Sequence, residues 1–144
     1  MSTPDVLVDT SVSIALTIAD HEHHHAVLRA LKGRQLGLAG HAAFETFSVL
    51  TRLPPPARRT PSSASQLIKA NFPHNRFLSA NAAAALLAEL HSTGIAGGSV
   101  YDALVGAAAK EHGITLCTRD QRAIETYRAL DVPFDLLIDA ADLQ

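Results

Sequence analysis

The sequence predicts an α/β fold in which a mostly parallel central sheet is covered by helices on both faces, giving three α/β/α layers. Short apolar runs, such as Val6–Val8 and residues 114–117, are too short for helices and are typical of buried strands. Longer amphipathic or Ala- and Leu-rich segments separate these runs and are predicted as helices. Alternation of strand and helix indicates βα units, which build parallel sheets.

Four apolar runs are predicted as strands: 6–8, 35–39, 114–117 and 134–138. Asp-Thr-Ser stops the first run, Gly40 the second and Thr-Arg-Asp the third, and these residue types favour turns or helix starts. Segment 72–78 is predicted as a minor strand or an extended connection.

Seven segments have the pattern or composition of helices: 12–19, 23–32, 41–53, 62–71, 79–92, 99–112 and 121–130. Asp9 or Ser11 is predicted to cap the first helix, and Ser99 the sixth, through side-chain oxygens. Glycine follows the second, fifth and sixth helices, and three prolines at 54–56 end the third.

Length and composition limit the class of protein. The 144 residues, 47% of them hydrophobic, suit one domain spanning residues 1–144. Twelve Lys and Arg against fourteen Asp and Glu give a formal charge of −2, so nucleic-acid contacts need a local patch of positive charge.

The single Cys117 cannot form an internal disulfide, which favours a reducing compartment. No membrane-length apolar run or signal peptide is visible, and we therefore expect a cytoplasmic protein with no membrane contact.

Four acidic residues are candidates for a functional site. Asp9 and Asp120 follow predicted strands, Asp102 lies in the first turn of the helix before the third strand, and Glu45 lies within a helix. Ligands of open α/β sheets bind beyond the carboxyl ends of the strands. Carboxylates gathered there repel, by about 4 kcal/mol per pair at ~4 Å and an effective dielectric near 20, and divalent cations relieve the repulsion. Oxygen ligands of this kind favour Mg²⁺ or Mn²⁺ over Zn²⁺.

Structural explanations exist for the three aspartates. Asp9 and Asp120 are common residue types at helix N-caps. Ser99 and Asp102 fit the spacing of a capping box, which occurs in many ordinary helices. Capping therefore accounts for each aspartate separately.

Capping does not account for Glu45. This carboxylate lies between Phe44 and Phe47 and needs a cation, a donor or water, because burying it bare costs several kcal/mol. It can pair with His41, four residues earlier, or lie near Arg52, two turns later.

These residues carry a resemblance to a known family. The elements, in chain order, are a strand ending in Asp9-Thr10-Ser11, Glu45 in a helix, Tyr101-Asp102-Ala103 and Thr118-Arg119-Asp120. The pattern, spread over residues 6–138, resembles the PIN-domain ribonucleases, in particular the VapC toxins of bacterial toxin–antitoxin pairs. The resemblance implies a PIN-like fold and a catalytic, metal-binding quartet of Asp9, Glu45, Asp102 and Asp120, supported by the hydroxyls of Ser11 and Thr118.

The implied activity is a Mg²⁺- or Mn²⁺-dependent endoribonuclease with one or two ions per active site. As the toxin of a type II toxin–antitoxin system, it would cleave structured RNA and inhibit translation until its antitoxin neutralises it. The implied partners are RNA, a cognate VapB-type antitoxin and a second copy in a homodimer.

Basic residues in the middle third of the chain are candidates for RNA contact. Arg52, Arg58 and Arg59 surround a predicted exposed loop, and phosphate contacts there would make affinity fall steeply with salt. Five Phe and two Tyr leave few aromatics for stacking, which favours recognition of RNA shape and backbone. The histidines at 21–25 lack the spacing of a structural metal site.

Three alternatives stay open on the sequence. A PIN-fold nuclease outside any toxin pair would share the same residues. A receiver-like or aspartyl-phosphatase domain would use Asp9 as a phosphate acceptor, although no lysine follows a late strand to bind the phosphoryl group. In a non-catalytic binding module, the acidic residues would serve as caps only.

Overall fold

The computed structural model describes residues 3–138. Within them, four short strands form one parallel sheet in the order β2-β1-β3-β4: β1 (Val6–Val8), β2 (Leu36–Leu38), β3 (Leu116–Thr118) and β4 (Phe134–Leu136). Every residue of β1, β2 and β3 is buried, which requires cover on both faces of the sheet. The predicted parallel α/β architecture is confirmed.

Helices in the same part of the chain provide this cover. They are α1 (Thr10–Thr17), α2 (His24–Leu31), α3 (His41–Arg52), α4 (Pro61–Asn71), α5 (Ala80–Glu89), α6 (Ser99–His112) and α7 (Ile124–Ala129). Short 3-10 turns at Leu90–Ser92 and Gln121–Ala123 replace the ends of two predicted helices. No helix among the described residues combines the length and apolarity that crossing a lipid bilayer requires.

The connection between α4 and α5 is extended and lies beside β2. A single parallel bridge joins Ala39 to Arg76, and the backbone N–H of His74 donates to the carbonyl of Leu36. The segment is therefore an extended connection, one of the two predicted alternatives. Gly37 permits this close approach, because a Cβ there would lie 2.0 Å from the carbonyl oxygen of His74.

Several predicted bounds differ from the structure by one to three residues, among them those of the third strand, and one predicted cap is wrong. The third strand begins at Leu116, not at residue 114, and ends at Thr118. Gly98, not Ser99, occupies the N-cap of α6, and no side chain caps this helix, so the predicted pairing of Ser99 with Asp102 as a capping box is wrong. Because Ser99 already lies inside the first turn, Asp102 is not part of a cap and is available to the site described below.

Candidate functional site

Asp9 is the most buried carboxylate at the carboxyl end of the sheet. It directly follows β1, caps α1 and is 5% exposed. The Ser11 hydroxyl donates to Oδ1 at 2.5 Å, the Val12 amide donates to Oδ1 at 3.3 Å, and the Tyr127 hydroxyl donates to Oδ2 at 3.0 Å. The capping role and the position at the strand end therefore coexist in one residue.

Electrostatics at Asp9 reflect this environment. Burial raises the pKa of Asp9, and hydrogen bonds from Ser11, Thr118, Tyr127 and Val12 act in the opposite direction. Burial and the adjacent Asp9 raise the pKa of Tyr127, so its hydroxyl keeps its proton and acts as the donor. Hydroxyl and amide donors thus orient the carboxylate without adding positive charge.

Ser11 and Thr118, the predicted supporting residues, connect Asp9 to the loop after β3. The Ser11 hydroxyl oxygen accepts the backbone N–H of Arg119 at 2.8 Å. Thr118 is fully buried, hydrogen-bonds Asp9 and accepts the backbone N–H of Asp120 at 3.0 Å. These contacts fix the relative position of two segments that are more than 100 residues apart.

Asp120 lies in that loop, two residues after β3. Its Oδ1 accepts the backbone N–H of Arg122 at 3.0 Å and thereby caps the turn Gln121–Ala123. The same oxygen lies 3.5 Å from Nε of Arg122, whose side chain is 94% exposed. The predicted cap is confirmed, and an exposed cation accompanies it.

Glu45 reaches the site from α3. Its Oε1 lies 3.5 Å from Nε2 of His41, the predicted pair one turn apart, and its Oε2 accepts the Thr10 hydroxyl at 3.3 Å. The Glu45 side chain is 38% exposed, so it is less buried than its apolar sequence neighbours suggested.

Asp102 shows that the four carboxylates share one site. Burial, the largest cause, and the negative charges of Asp120, Asp9 and Glu45 together raise the pKa of Asp102 to about 6. The four residues come from α1's cap, α3, α6 and the loop after β3, yet each of the other three acts on Asp102. The sequence-predicted quartet is thus brought together at the carboxyl end of β1 and β3.

Two residues of the site escaped sequence reasoning. Tyr127 contacts Asp9 across 118 positions of sequence, and no local pattern marks a tyrosine in a short helix as a partner of a distant strand end. Thr10 donates to Glu45 from the first residue of α1. Its position beside Asp9 in the Asp-Thr-Ser sequence was the available signal.

The donor chemistry fits a hard divalent cation, because the site offers carboxylate oxygens with mutual repulsion. Among residues 3–138, no three His, Cys, Asp or Glu side chains are arranged so that they could hold one ion together. Mg²⁺ usually takes only one or two protein carboxylates directly and keeps several waters. The arrangement is therefore compatible only with an ion that takes one or two of these carboxylates directly and water for its other ligands.

The candidate RNA-binding arginines lie elsewhere. Arg52 is exposed in the last turn of α3, Arg58 donates to the Leu53 carbonyl at 2.8 Å, and Arg59 donates to the Ala57 carbonyl at 3.1 Å. The histidines at 21–25 precede and begin α2, where the His24 ring hydrogen-bonds the Ala15 carbonyl at 2.8 Å.

Comparisons with known proteins agree with this fold. The PIN domain family profile matches residues 6–129. The structure of Mycobacterium tuberculosis VapC20, described as a sarcin-ricin loop cleaving toxin, has a TM-score of 0.58 at 22% identity and covers 77% of this chain and 86% of its own. FitAcB from Neisseria gonorrhoeae has a TM-score of 0.62 at 19% identity and covers 90% of this chain and 95% of its own.

The chain belongs to the PIN-domain family. Two Mycobacterium tuberculosis proteins, ribonucleases VapC27 and VapC40, are each 44% identical to it. The alignments span 90% of this chain and 94% and 96% of those proteins, respectively. The protein is therefore a ribonuclease of the VapC toxin type, a class of nuclease that depends on metal ions in general.

Proposed function

We propose that this ribonuclease is a Mg²⁺- or Mn²⁺-dependent endoribonuclease whose reaction centre is the quartet Asp9, Glu45, Asp102 and Asp120. One observation supports this most directly: the pKa of Asp102 is raised to about 6 partly because three other carboxylates act on it. A protein that needed these residues only as helix caps would gain nothing from their convergence. The repulsion is useful where one or two divalent cations bind.

When bound, the metal activates a water molecule and stabilises negative charge on the scissile phosphate. Asp9 and Asp120 are the proposed direct ligands, Asp102 the next, and Glu45 binds a metal or orients water. Ser11, Thr118 and Tyr127 hold the Asp9 carboxylate in one orientation through the hydrogen bonds described above. Donors of this kind around a metal-binding carboxylate usually affect metal affinity strongly.

RNA binding needs positive charge outside the quartet. Arg52, Arg58 and Arg59 lie at or after the end of α3 and are proposed to contact the phosphate backbone of a structured RNA. Because Lys and Arg are outnumbered by acidic residues in the chain, these contacts would act as a local patch. Cleavage by such an enzyme in the cytoplasm is proposed to inhibit translation.

A VapB-type antitoxin is the proposed regulatory partner, and a homodimer the proposed assembly. The exposed surface includes an apolar groove of about 410 Å³ lined by Phe44, Phe47, Ile68 and Phe77, among others. Phe44 and Phe77, whose ring centroids lie 6.1 Å apart, are 66% and 50% exposed and together form an apolar patch open to solvent. This groove is a surface that the antitoxin would cover.

The proposal is tested by comparing wild type with Asp9→Asn and Asp102→Asn on total RNA, with and without Mg²⁺. Each variant is expected to fold and to lose at least about 100-fold in cleavage rate, because outer-shell changes alone cost 10–100-fold. Asp135→Asn, which changes an exposed aspartate of β4, is the matched control and should cleave as wild type.

Metal binding is tested separately by thermal unfolding with Mn²⁺. A specific site stabilises the folded protein by RT ln(1 + [L]/Kd), about 2.7 kcal/mol when the free ion is at 100 times Kd. The gain should shrink in Asp9→Asn and persist in Asp135→Asn. Near wild-type cleavage by either quartet variant would exclude that residue from the reaction centre.

A further inference from the structure

Two aromatic rings stack at the edge of the carboxylate cluster. His41 is the first residue of α3 and Tyr101 lies in the first turn of α6. Their ring centroids are 5.1 Å apart and their planes differ by 22°, so the rings are stacked. The pair brings the starts of two helices together, and each helix contributes a member of the quartet.

The stack is joined to the site on both sides. Nε2 of His41 lies 3.5 Å from Oε1 of Glu45, and Tyr101 immediately precedes Asp102 in the chain. The stack thus lies beside the Glu45 carboxylate, and Tyr101 is one residue from Asp102 on α6.

Tyr101 is unusually open for a large aromatic residue. It is 53% exposed although His41 covers one side of its ring, so it retains surface on which a second planar group can lie. Tyr127, the other tyrosine of the chain, is 1% exposed and serves Asp9 instead. Removing the exposed surface of the Tyr101 ring from water is favourable, and a planar group covers the most of that surface.

We infer that the His41–Tyr101 stack is a nucleobase subsite, which holds an unpaired base of the RNA next to the scissile phosphate. The inference rests on the proposed function of the quartet and adds a substrate contact to it. Aromatic side chains bind single-stranded nucleic acid by stacking on bases, and every base has a flat face that suits such a ring.

Composition predicts few aromatics free to stack, and the structure shows which of them are exposed. Four of the seven Phe and Tyr residues are exposed, namely Phe44, Phe47, Phe77 and Tyr101. The Phe44 ring packs on Phe77 in the apolar groove, whereas Tyr101 stacks on His41, whose Nε2 lies 3.5 Å from Oε1 of Glu45. An unpaired base at this place means that the RNA, even if folded elsewhere, is single-stranded at the cleaved bond.

The test uses a short oligoribonucleotide that spans a bond cut by the wild-type enzyme in total RNA. Versions of it carry an abasic nucleotide on either side of that bond. With wild type and Mg²⁺, one abasic position should lower kcat/KM about tenfold, in line with the usual effect of losing one stacked base. Tyr101→Ala should lower kcat/KM on the intact RNA by a similar factor and should be insensitive to the same abasic change.

Two further variants separate stacking from other effects. Tyr101→Phe keeps the ring and should retain wild-type kcat/KM and the abasic penalty. Leu87→Ala, which truncates a 74% exposed apolar side chain on α5, is the control for loss of surface area and should be neutral.

The inference is overturned if Tyr101→Ala cleaves the intact RNA as wild type, or if it keeps the full abasic penalty. Unchanged cleavage combined with weaker binding of the cognate antitoxin would also overturn it and assign the stack to the antitoxin. If the proposed role of the quartet is wrong, Asp9→Asn still cleaves RNA. The effect of Tyr101→Ala on kcat/KM can be measured in either case, so the two proposals fail in distinguishable ways.

Discussion

The two ends of the carboxylate cluster are built differently. At the inner end, Asp9 is buried and every protein donor to it is a neutral hydroxyl or amide. At the outer end, Glu45 and Asp120 are partly exposed, and each has a cationic or titratable partner, His41 and Arg122, at 3.5 Å. Both ends hold their carboxylates in place, but only the outer end offers side chains that can neutralise charge.

The difference indicates where a metal ion is needed most. Burial raises the pKa of Asp9, and the hydrogen bonds from neutral groups act in the opposite direction and orient the carboxylate without supplying positive charge. An ion pair at the surface is weak because water and salt screen it, so Arg122 competes only modestly for Asp120. We therefore expect the inner end to determine metal affinity and the outer end to tune it.

The largest change in metal affinity and activity that tests the difference between the two ends is expected from Tyr127→Phe. The change removes the 3.0 Å hydrogen bond to Oδ2 of Asp9 and keeps the ring, which packs 6.1 Å from Phe134. Loss of such a partner to a metal ligand costs about 10–100-fold in affinity or activity. Because the Tyr127 hydrogen bond lowers the pKa of Asp9, its removal raises that pKa, and the acidic limb of the activity profile should move to higher pH.

Cleavage rates measured over a range of Mg²⁺ concentrations and pH values test this prediction. Thermal unfolding controls for the packing of the ring. If neither the Mg²⁺ requirement nor the pH profile changes, the inner end does not determine metal binding, and the comparison between the two ends fails.

An effect of intermediate size is expected in the pH dependence of stability. It arises from Asp102, because carboxylates of both the inner and the outer end raise its pKa. Its carboxyl has a pKa of about 6 in the folded protein against 3.8 as the ordinary value. Between these values the folded state binds more protons than the unfolded state, so the metal-free protein should lose stability as pH rises from about 4 to 6. Thermal unfolding of metal-free wild type should show this decline, and Asp102→Asn should show a smaller one.

Added Mn²⁺ provides the complementary measurement. The ion relieves the repulsion, so at pH 6 and above it should restore the stability that wild type loses between about pH 4 and 6, and it should have less effect in Asp102→Asn. A stability difference between metal-free wild type and Asp102→Asn that stays constant across this range would contradict the repulsion that defines the cluster.

The elements of the fold were largely predictable because each has a local signal. Short apolar runs in the sequence indicated the buried strands. Gly113, which follows α6, has the left-handed conformation (φ 66°) that is typical of the end of a helix. The Ser99 cap was wrong because Gly98 and Ser99 both suit a helix start, and only the packing of α6 decides between them. Boundaries of this kind depend on tertiary contacts that the local sequence does not contain.

The candidate site was predictable only in part, for a related reason. Carboxylates that follow parallel strands converge by topology, so Asp9 and Asp120 could be placed together from the sequence. Tyr127 could not, because its contact with Asp9 depends on how α7 packs beneath the sheet edge. The stack of His41 on Tyr101 likewise depends on the approach of α3 and α6, which no spacing along the chain encodes.

The smallest effect is expected at the outer end, from Arg122→Ala. The Arg122 side chain is 94% exposed, so stability should change by no more than about 0.5 kcal/mol. Removing this cation leaves the cluster more negative, and Mg²⁺ or Mn²⁺ should bind slightly more tightly, by less than about fivefold. The direction is opposite to that expected for Tyr127→Phe, which makes the pair of variants informative when metal affinity is measured for both by titration. A large loss of metal affinity in Arg122→Ala would mean that the outer end positions the ion, because a merely competing cation cannot weaken the binding of another cation when it is removed.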